Sequence, residues 1–169
     1  MRRIGWLVLM MSVLVVTGCD RPNRPTPNPD LLGAVLLPSN AVPPVTNTEL
    51  QGTGTTSVGV VAVRDGNGVI TSATVDVQIT FAGFPPNTNP TDAHIHRGDV
   101  GLEGAIEIDL QLVPGQVTLT SGAGTYLRQG LLVSPSLAQE LLNNPTGFYL
   151  DVHSVRNVSG MLRGQLQHQ

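Results

Sequence analysis

The stretch TVDVQITF at residues 74–81 decides the fold class, because apolar and polar side chains alternate along it without a break. Val75, Val77, Ile79 and Phe81 fall on one side of an extended chain, and the polar residues between them fall on the other. A period of two is typical of a strand that has one face in a core and one face in solvent. The stretch therefore predicts a half-buried strand of an antiparallel sheet.

The same alternation recurs on both sides of this stretch. Residues 106–112 place Ile106, Ile108, Leu110 and Leu112 on one face, opposite acidic and amide side chains. Weaker patterns predict strands at residues 32–37, 57–64, 93–96, 117–120, 148–153 and 161–167. Glycine, proline and asparagine clusters separate them, as turns require. We expect an all-β domain over residues 31–169, an antiparallel Greek-key-like β-sandwich.

One short helix is expected to interrupt the strands. Ser134 is a suitable N-cap, Pro135 suits the first helical turn and Pro145 ends the segment. The apolar stripe of this helix consists of Leu137, Leu141 and Leu142. We expect the helix to close one end of the sandwich.

The N-terminus has the features of an export signal. Arg2 and Arg3 precede an apolar run of about 13 residues, which is too short to span a bilayer as a helix. The run ends in VTGC at residues 16–19, which resembles the lipobox of bacterial lipoproteins. Residues 1–18 are therefore predicted to be a signal peptide, and Cys19 is predicted to carry the lipid.

The segment after the lipid site is expected to be a spacer. Residues 19–30 are rich in proline and contain no large apolar side chain, so they should form a disordered, extended tether. The sequence predicts an exported protein, lipid-anchored to the cell membrane or the outer membrane, with its domain facing the periplasm or the exterior.

The charges make nucleic acid an unexpected partner. The net charge is −3, the chain has no lysine, and its arginines are scattered. Binding to phosphate backbones requires a basic patch, and the sequence contains none.

Two segments concentrate the histidines. Residues 92–97 read DAHIHR, and on a strand Asp92, His94 and His96 share a face because residues two apart point the same way. Residues 148–153 read FYLDVH, whose apolar residues alternate with Tyr149, Asp151 and His153. We therefore expect all three histidines to avoid the core side.

Two interpretations of these histidines stay open. If the two strands are neighbours, three imidazoles and two carboxylates converge on one solvent-exposed surface, a donor set suited to zinc or copper. His94, His96 and His153 would be the ligands, and Asp92, Asp151, Tyr149 and Arg163 would surround them, with Arg163 pairing with Asp151 or Asp92. Alternatively, the histidines hold the strand ends together by hydrogen bonds, without a metal.

Four motifs resemble a known family when they are taken in order. They are VPPV at residues 42–45, AHIHRG at 93–98, FYLDVHS at 148–154 and GMLRGQL at 160–166. Together they resemble the CHRD domain, named from chordin and found in many bacterial secreted proteins, over residues 31–167. The family often has Glu where this chain has Ala41 and Asn where it has Asp151.

The resemblance implies a β-sandwich displayed outside the cytoplasm, and it implies no firmly assigned activity. The HxH pair and the late histidine are also similar to the copper-ligand layout of Cu/Zn superoxide dismutases. The chain has no clear bridging histidine and its single cysteine cannot form an intrachain disulfide, so a dinuclear dismutase site is not expected.

Two function classes follow. The first is a non-enzymatic envelope module that binds an unknown protein or glycan and needs no cofactor. The second is a mononuclear copper or zinc protein with a superoxide-dismutase-like histidine cluster, for which redox activity is a weaker expectation. The sequence contains no nucleophile motif and no phosphate-binding loop, so we expect no catalytic residues.

Overall fold

The computed structural model describes residues 27–169, and these form two antiparallel β-sheets with one α-helix. The predicted signal segment, Cys19 and most of the predicted tether lie outside the described residues. The strands, in chain order, are β1 (Asp30–Leu36), β2 (Thr53–Arg64), β3 (Ile70–Ala82), β4 (Pro90–Arg97), β5 (Ile106–Asp109), β6 (Gly124–Val133), β7 (Phe148–Ser154), β8 (Leu162–Gln165) and β9 (Gln167–His168). The first strand begins at Asp30, one residue before the predicted start of the domain.

The two sheets divide the strands between them. The first sheet has the order β6-β3-β2-β1-β9, and the second has the order β5-β4-β7-β8. Every pairing is antiparallel. The chain passes from the first sheet to the second after β3 and again after β6, so the sheets are built from interleaved parts of the sequence. The predicted all-β sandwich is confirmed.

The core lies between the sheets and contains the apolar faces that the alternation indicates. On β3, Val75, Val77, Ile79 and Phe81 are all buried. The two central strands of the second sheet contribute five buried residues to the core, which are Ala93, Ile95, Phe148, Leu150 and Val152. Burial of this apolar surface is the main stabilising contribution to the fold.

The predicted helix is present as α1 (Pro135–Asn143). The Ser134 side chain accepts a hydrogen bond from the Leu137 backbone N–H at 3.1 Å, as an N-cap does. Leu141 is fully buried, while Leu137 and Leu142 are partly buried and pack against the core. The helix contacts β3 and β2. No helix in the described range is long and apolar enough to cross a membrane.

Three strand predictions need correction. Residues 117–120 form no strand and contribute only an isolated bridge between Thr88 and Leu119. The alternation over residues 106–112 gives a strand only as far as Asp109, because Gln111 has a positive φ of 60° that ends the extended chain. Ile106 is 54% exposed, since the pairing of β4 with β5 shifts register beside it.

The third correction concerns the C-terminus, and one strand was missed. The strand predicted over residues 161–167 is divided into β8 and β9, which belong to different sheets. Strand β6 was not predicted, because its alternation is interrupted. Gly130 has a φ of 70°, and the register with β3 shifts between Val75 and Val77. A bulge reverses which side chains face the core, so no single period of two describes the strand.

Candidate metal centre

The two histidine-bearing segments are neighbouring strands. Strands β4 and β7 pair at the centre of the second sheet, with Asp92 opposite His153, His94 opposite Asp151, and His96 opposite Tyr149. The sheet therefore brings together residues that are more than 50 positions apart in the chain. All three histidines predicted as candidate ligands lie on one face of these two strands.

This face is covered, so the prediction of a solvent-exposed cluster is wrong. His94 is 8% exposed, His96 is 9% exposed and Tyr149 is 2% exposed. The loop before β5 and the loop before β8 lie over the strands and are fastened to them. His96 Nδ1 donates to the Gly104 carbonyl at 2.9 Å, and His153 Nδ1 donates to the Val158 carbonyl at 2.9 Å.

Four atoms converge at the centre of the cluster. Asp151 Oδ1 lies 3.6 Å from His94 Nδ1, 3.2 Å from His96 Nε2 and 3.4 Å from His153 Nε2. One atom from each of these four residues lies within 4.8 Å of the others. A zinc ion bonded at about 2.0–2.1 Å in a tetrahedron separates its ligand atoms by roughly 3.3–3.4 Å, so the three distances to Asp151 match the edges of such a tetrahedron.

Each imidazole has an outer nitrogen, the one that points away from Asp151, and the acceptor beside that nitrogen fixes which ring nitrogen carries the proton. A carbonyl oxygen can only accept, so Nδ1 of His96 and Nδ1 of His153 must be the protonated nitrogens. His94 Nε2 lies 3.1 Å from the Asp92 carboxylate, which is likewise an acceptor. In their neutral forms the three rings therefore direct unprotonated nitrogens toward Asp151.

The converging atoms lack hydrogen-bond partners. Among the buried side-chain atoms of residues 27–169 that have none are His94 Nδ1, His96 Nε2, Asp151 Oδ1 and His153 Nε2. Buried polar atoms are ordinarily satisfied, and leaving one unsatisfied costs about 1–3 kcal/mol. Four electron-pair donors that face one another require a cation between them, either a proton or a metal ion.

The close contact between Asp151 and the three imidazoles also shifts the pKa values of the cluster. Burial acts to raise the pKa of Asp151, but the imidazoles of His153, His94 and His96 outweigh it and hold the pKa of this carboxyl far below its usual range. Burial lowers the pKa of His96, but the Asp151 carboxylate and the Gly104 carbonyl together raise it by more. The net shift of this pKa is therefore upward. Asp151 likewise raises the pKa of His153 against the effect of burial.

The roles of the two aspartates differ. Asp151 lies inside the cluster as a fourth donor, whereas the sequence placed it with the surrounding residues. Asp92 lies outside, with its side chain 47% exposed, and contacts the outer nitrogen of His94. A second group, Asp92, His94 and Asp109, shares that histidine, but Asp109 is exposed. We therefore regard Asp92 as the residue that orients the His94 ring.

Tyr149 and Arg163 form a stack beside the cluster. The Tyr149 ring lies parallel to the His96 ring, with centroids 4.8 Å apart and planes inclined by 4°. The Arg163 guanidinium lies over the Tyr149 ring, 3.5 Å from its centroid. Burial raises the pKa of Tyr149, so its hydroxyl remains protonated at neutral pH.

The predicted pairing of Arg163 with an aspartate is wrong. Arg163 lies in strand β8, directly opposite Asp151, but its Nη2 donates to the Asp99 carbonyl at 2.9 Å and to the Leu102 carbonyl at 2.7 Å. The loop before β5 supplies both carbonyls. The fourth histidine, His168, is exposed in β9 on the other sheet and is not part of the cluster.

The sequence did not indicate the supporting contacts from distant loops. The carbonyls of Gly104 and Val158 carry no side-chain signal, so only the fold could reveal them. Buried Glu49 was also missed. It accepts hydrogen bonds from Ser154 Oγ at 2.7 Å and from the Asn157 side chain, and so anchors the loop that carries Val158.

An antiparallel β-sandwich with a histidine–aspartate cluster beneath the loops of one sheet defines the class of domain. The family model for the CHRD domain matches residues 32–166, nearly all of the described chain. The chain therefore belongs to the CHRD domain family, as its four motifs predicted. No curated protein and no solved structure shows significant similarity to it.

Proposed function

We propose that this CHRD domain binds one divalent transition-metal ion, zinc or copper, through His94, His96, His153 and Asp151. The observation that carries the proposal is the convergence of four buried donor atoms without hydrogen-bond partners. Imidazole nitrogen and carboxylate oxygen are common ligands of both ions. The set includes no sulfur donor, which favours Zn²⁺ and Cu²⁺ over Cu⁺.

The surrounding contacts support a metal over a purely structural role. Each imidazole has its outer nitrogen on an acceptor: Asp92 for His94, the Gly104 carbonyl for His96 and the Val158 carbonyl for His153. Metal-bound histidines almost always have such a partner, because it fixes the ring and directs the other nitrogen to the ion. Histidines that only connect two strands do not require three inner nitrogens to face one carboxylate.

The proposed setting is the cell envelope. The export signal and the lipobox-like VTGC at residues 16–19 support an exported bacterial lipoprotein anchored through Cys19. In a fractionated expression host, the chain should partition with membranes, and Cys19→Ser should release it. An unchanged membrane fraction for Cys19→Ser would refute the lipid anchor.

The proposed role is binding rather than catalysis. The metal would hold the loops before β5 and β8 over the outer face of the second sheet, since each loop supplies a carbonyl to a ligand histidine. A face ordered in this way could present a surface to a protein or glycan partner. If copper is the native ion, redox activity is the alternative role, and it is tested directly on the copper-loaded protein.

Equilibrium dialysis tests the metal proposal. The full chain in detergent, dialysed against Zn²⁺ and separately against Cu²⁺, should retain one ion per chain by elemental analysis. The double variant His96→Ala/His153→Ala should retain none, while His168→Ala should match the wild type because His168 lies outside the cluster. Equal retention by the double variant and the wild type would refute the site.

A further inference from the structure

A cavity opens beside the proposed metal site, beneath the loops that cover it. Its volume is about 180 Å³, and His96, Asp151 and His153 line it together with Tyr149 and Arg163. Pockets for drug-sized ligands measure roughly 300–1,000 Å³, so this smaller cavity suits a ligand of a few heavy atoms beside the metal.

Arg163 places a largely buried positive charge at the wall of this cavity. The residue is 4% exposed, and none of the ion pairs within residues 27–169 involves it. Its hydrogen bonds to described residues come from Nη2 alone, so the Nε–H and Nη1–H groups have no acceptor there. A buried charge without a counter-charge is costly, and an anion in the cavity would compensate it.

Tyr149, which also lines the cavity, supplies a second hydrogen-bond donor. The Tyr149 hydroxyl accepts from the Gly104 backbone N–H at 3.1 Å, and its own proton has no acceptor among the described residues. Arg163 covers the Tyr149 ring, so the guanidinium and the hydroxyl belong to one rigid stack. Preorganised donors of this kind bind an anion without further ordering of side chains.

The charges around the cavity favour an anion once a metal is bound. A divalent ion, the Asp151 carboxylate and the Arg163 guanidinium together give about two positive charges in excess. The other carboxylate that lines the cavity is Glu103, which is exposed and therefore screened by solvent.

We propose that this cavity binds a small anion, which contacts Arg163 and coordinates the metal as an additional ligand. This inference rests on the proposed metal site. Three imidazoles and one carboxylate leave room for a fifth ligand, and five-coordinate zinc and copper sites are common. The ligand class is therefore a compact inorganic anion or a short carboxylate, held between a metal ion and a guanidinium.

Azide is a suitable reporter, because its binding to Cu²⁺ adds a charge-transfer band to the visible spectrum. The copper-loaded full chain should develop this band on titration with azide and saturate. Arg163→Gln should weaken azide binding at least tenfold while one copper per chain is retained, and Arg163→Lys, which keeps the charge, should weaken it less. The matched control is Arg156→Gln, an exposed arginine outside the cavity, which should bind azide like the wild type.

The outcomes separate the two proposals. If copper binds at one ion per chain and azide leaves its spectrum unchanged, the anion site is refuted and the metal site stands. If Arg163→Gln and Arg163→Lys both bind azide as tightly as the wild type, Arg163 does not hold the anion and the inference fails. If no copper is retained, the anion inference fails, and if no zinc is retained either, the metal proposal fails with it.

Discussion

The imidazole of His96 lies flat against the phenol ring of Tyr149, with the ring centroids 4.8 Å apart. Gly104 fixes both rings, since its carbonyl accepts from His96 Nδ1 and its N–H donates to the Tyr149 hydroxyl. The plane of the His96 ring is thereby set, and Nε2 is directed toward Asp151. A backbone segment that has no side-chain chemistry of its own thus orients a proposed metal ligand.

Tyr149 should contribute to stability through its ring more than through its hydroxyl. Tyr149→Phe keeps the stack and removes one hydrogen bond, so it should lower the free energy of unfolding by about 1 kcal/mol. Tyr149→Ala also removes the buried ring and should lower it by about 3–5 kcal/mol. Urea unfolding of the metal-free protein measures both values. Equal losses for the two variants would contradict the proposed role of the stack.

The stability of the metal-free protein should depend on pH through the cluster. His96 and His153 have raised pKa values, so their contribution is complete below about pH 6.5, the ordinary value for histidine, and is lost as the pH rises through the raised values. Asp151 has a lowered pKa, so its contribution is present above about pH 3.9 and is lost as the pH falls through the lowered value. Thermal unfolding should show the highest stability between about pH 4 and 6.5.

The metal-free protein should lose stability as the pH rises through the raised pKa values of its histidines. Zinc should oppose this loss, because a metal ion binds only the deprotonated imidazoles. The increase in melting temperature that zinc produces should therefore grow from pH 5 to pH 8. His168→Ala should behave like the wild type. An increase that is independent of pH would show that zinc does not compete with protons on these histidines.

Glu49 should support the proposed metal site indirectly, through the loop that contacts His153. It is 3% exposed and accepts from Ser154 and Asn157, which hold the loop that carries the Val158 carbonyl. Glu49→Gln replaces one of the two carboxylate oxygens with an NH₂ donor and removes the charge that strengthens the hydrogen bonds from Ser154 and Asn157, so it should lower the free energy of unfolding by about 1–3 kcal/mol. It should also weaken zinc binding by up to about tenfold, as changes around metal ligands do.

The control for this prediction is Glu140→Gln. Glu140 lies on α1, its side chain is 49% exposed, and it does not line the cavity beside the metal site. This variant loses an exposed ion pair with Arg97, so it should change the free energy of unfolding by less than about 1 kcal/mol and keep its zinc affinity. If Glu49→Gln and Glu140→Gln behave alike in both measurements, the anchoring of the loop by Glu49 is not needed.

The core beneath the site should carry most of the stability. Leu150 is fully buried between the two histidine-bearing strands and the first sheet, so Leu150→Ala should lower the free energy of unfolding by about 2–5 kcal/mol. Leu132 on β6 is 85% exposed, and Leu132→Ala should change it by less than about 0.5 kcal/mol. Chemical denaturation distinguishes the two. A large loss for Leu132→Ala would indicate that its face is covered in solution.

Alternation along the chain predicted the strands that have an uninterrupted core face. Residues 74–81 of β3 and the histidine-bearing strands follow a strict period of two, and the structure places their alternating apolar residues in the core. Strand β6 escaped prediction because a positive φ at Gly130 and a register shift break its period. Bulges depend on the partner strand, which a single sequence does not reveal.

The candidate ligands could be predicted, but their environment could not. The alternation of side chains along each strand placed His94, His96 and His153 on the face away from the core. The pairing of β4 with β7 brings them together. Their burial depends on two loops that contribute mainly backbone groups, such as the Gly104 carbonyl. Backbone carbonyls are present in every residue, so no sequence pattern marks the ones that support the site.

X-ray absorption at the zinc edge of the zinc-loaded protein tests the central claim most directly. We predict one zinc ion per chain with three imidazole nitrogens and one carboxylate oxygen at about 2.0–2.2 Å, and no zinc retained at this site by His96→Ala/His153→Ala. A zinc ion surrounded only by oxygen atoms, or a spectrum that the double variant leaves unchanged, would contradict the account.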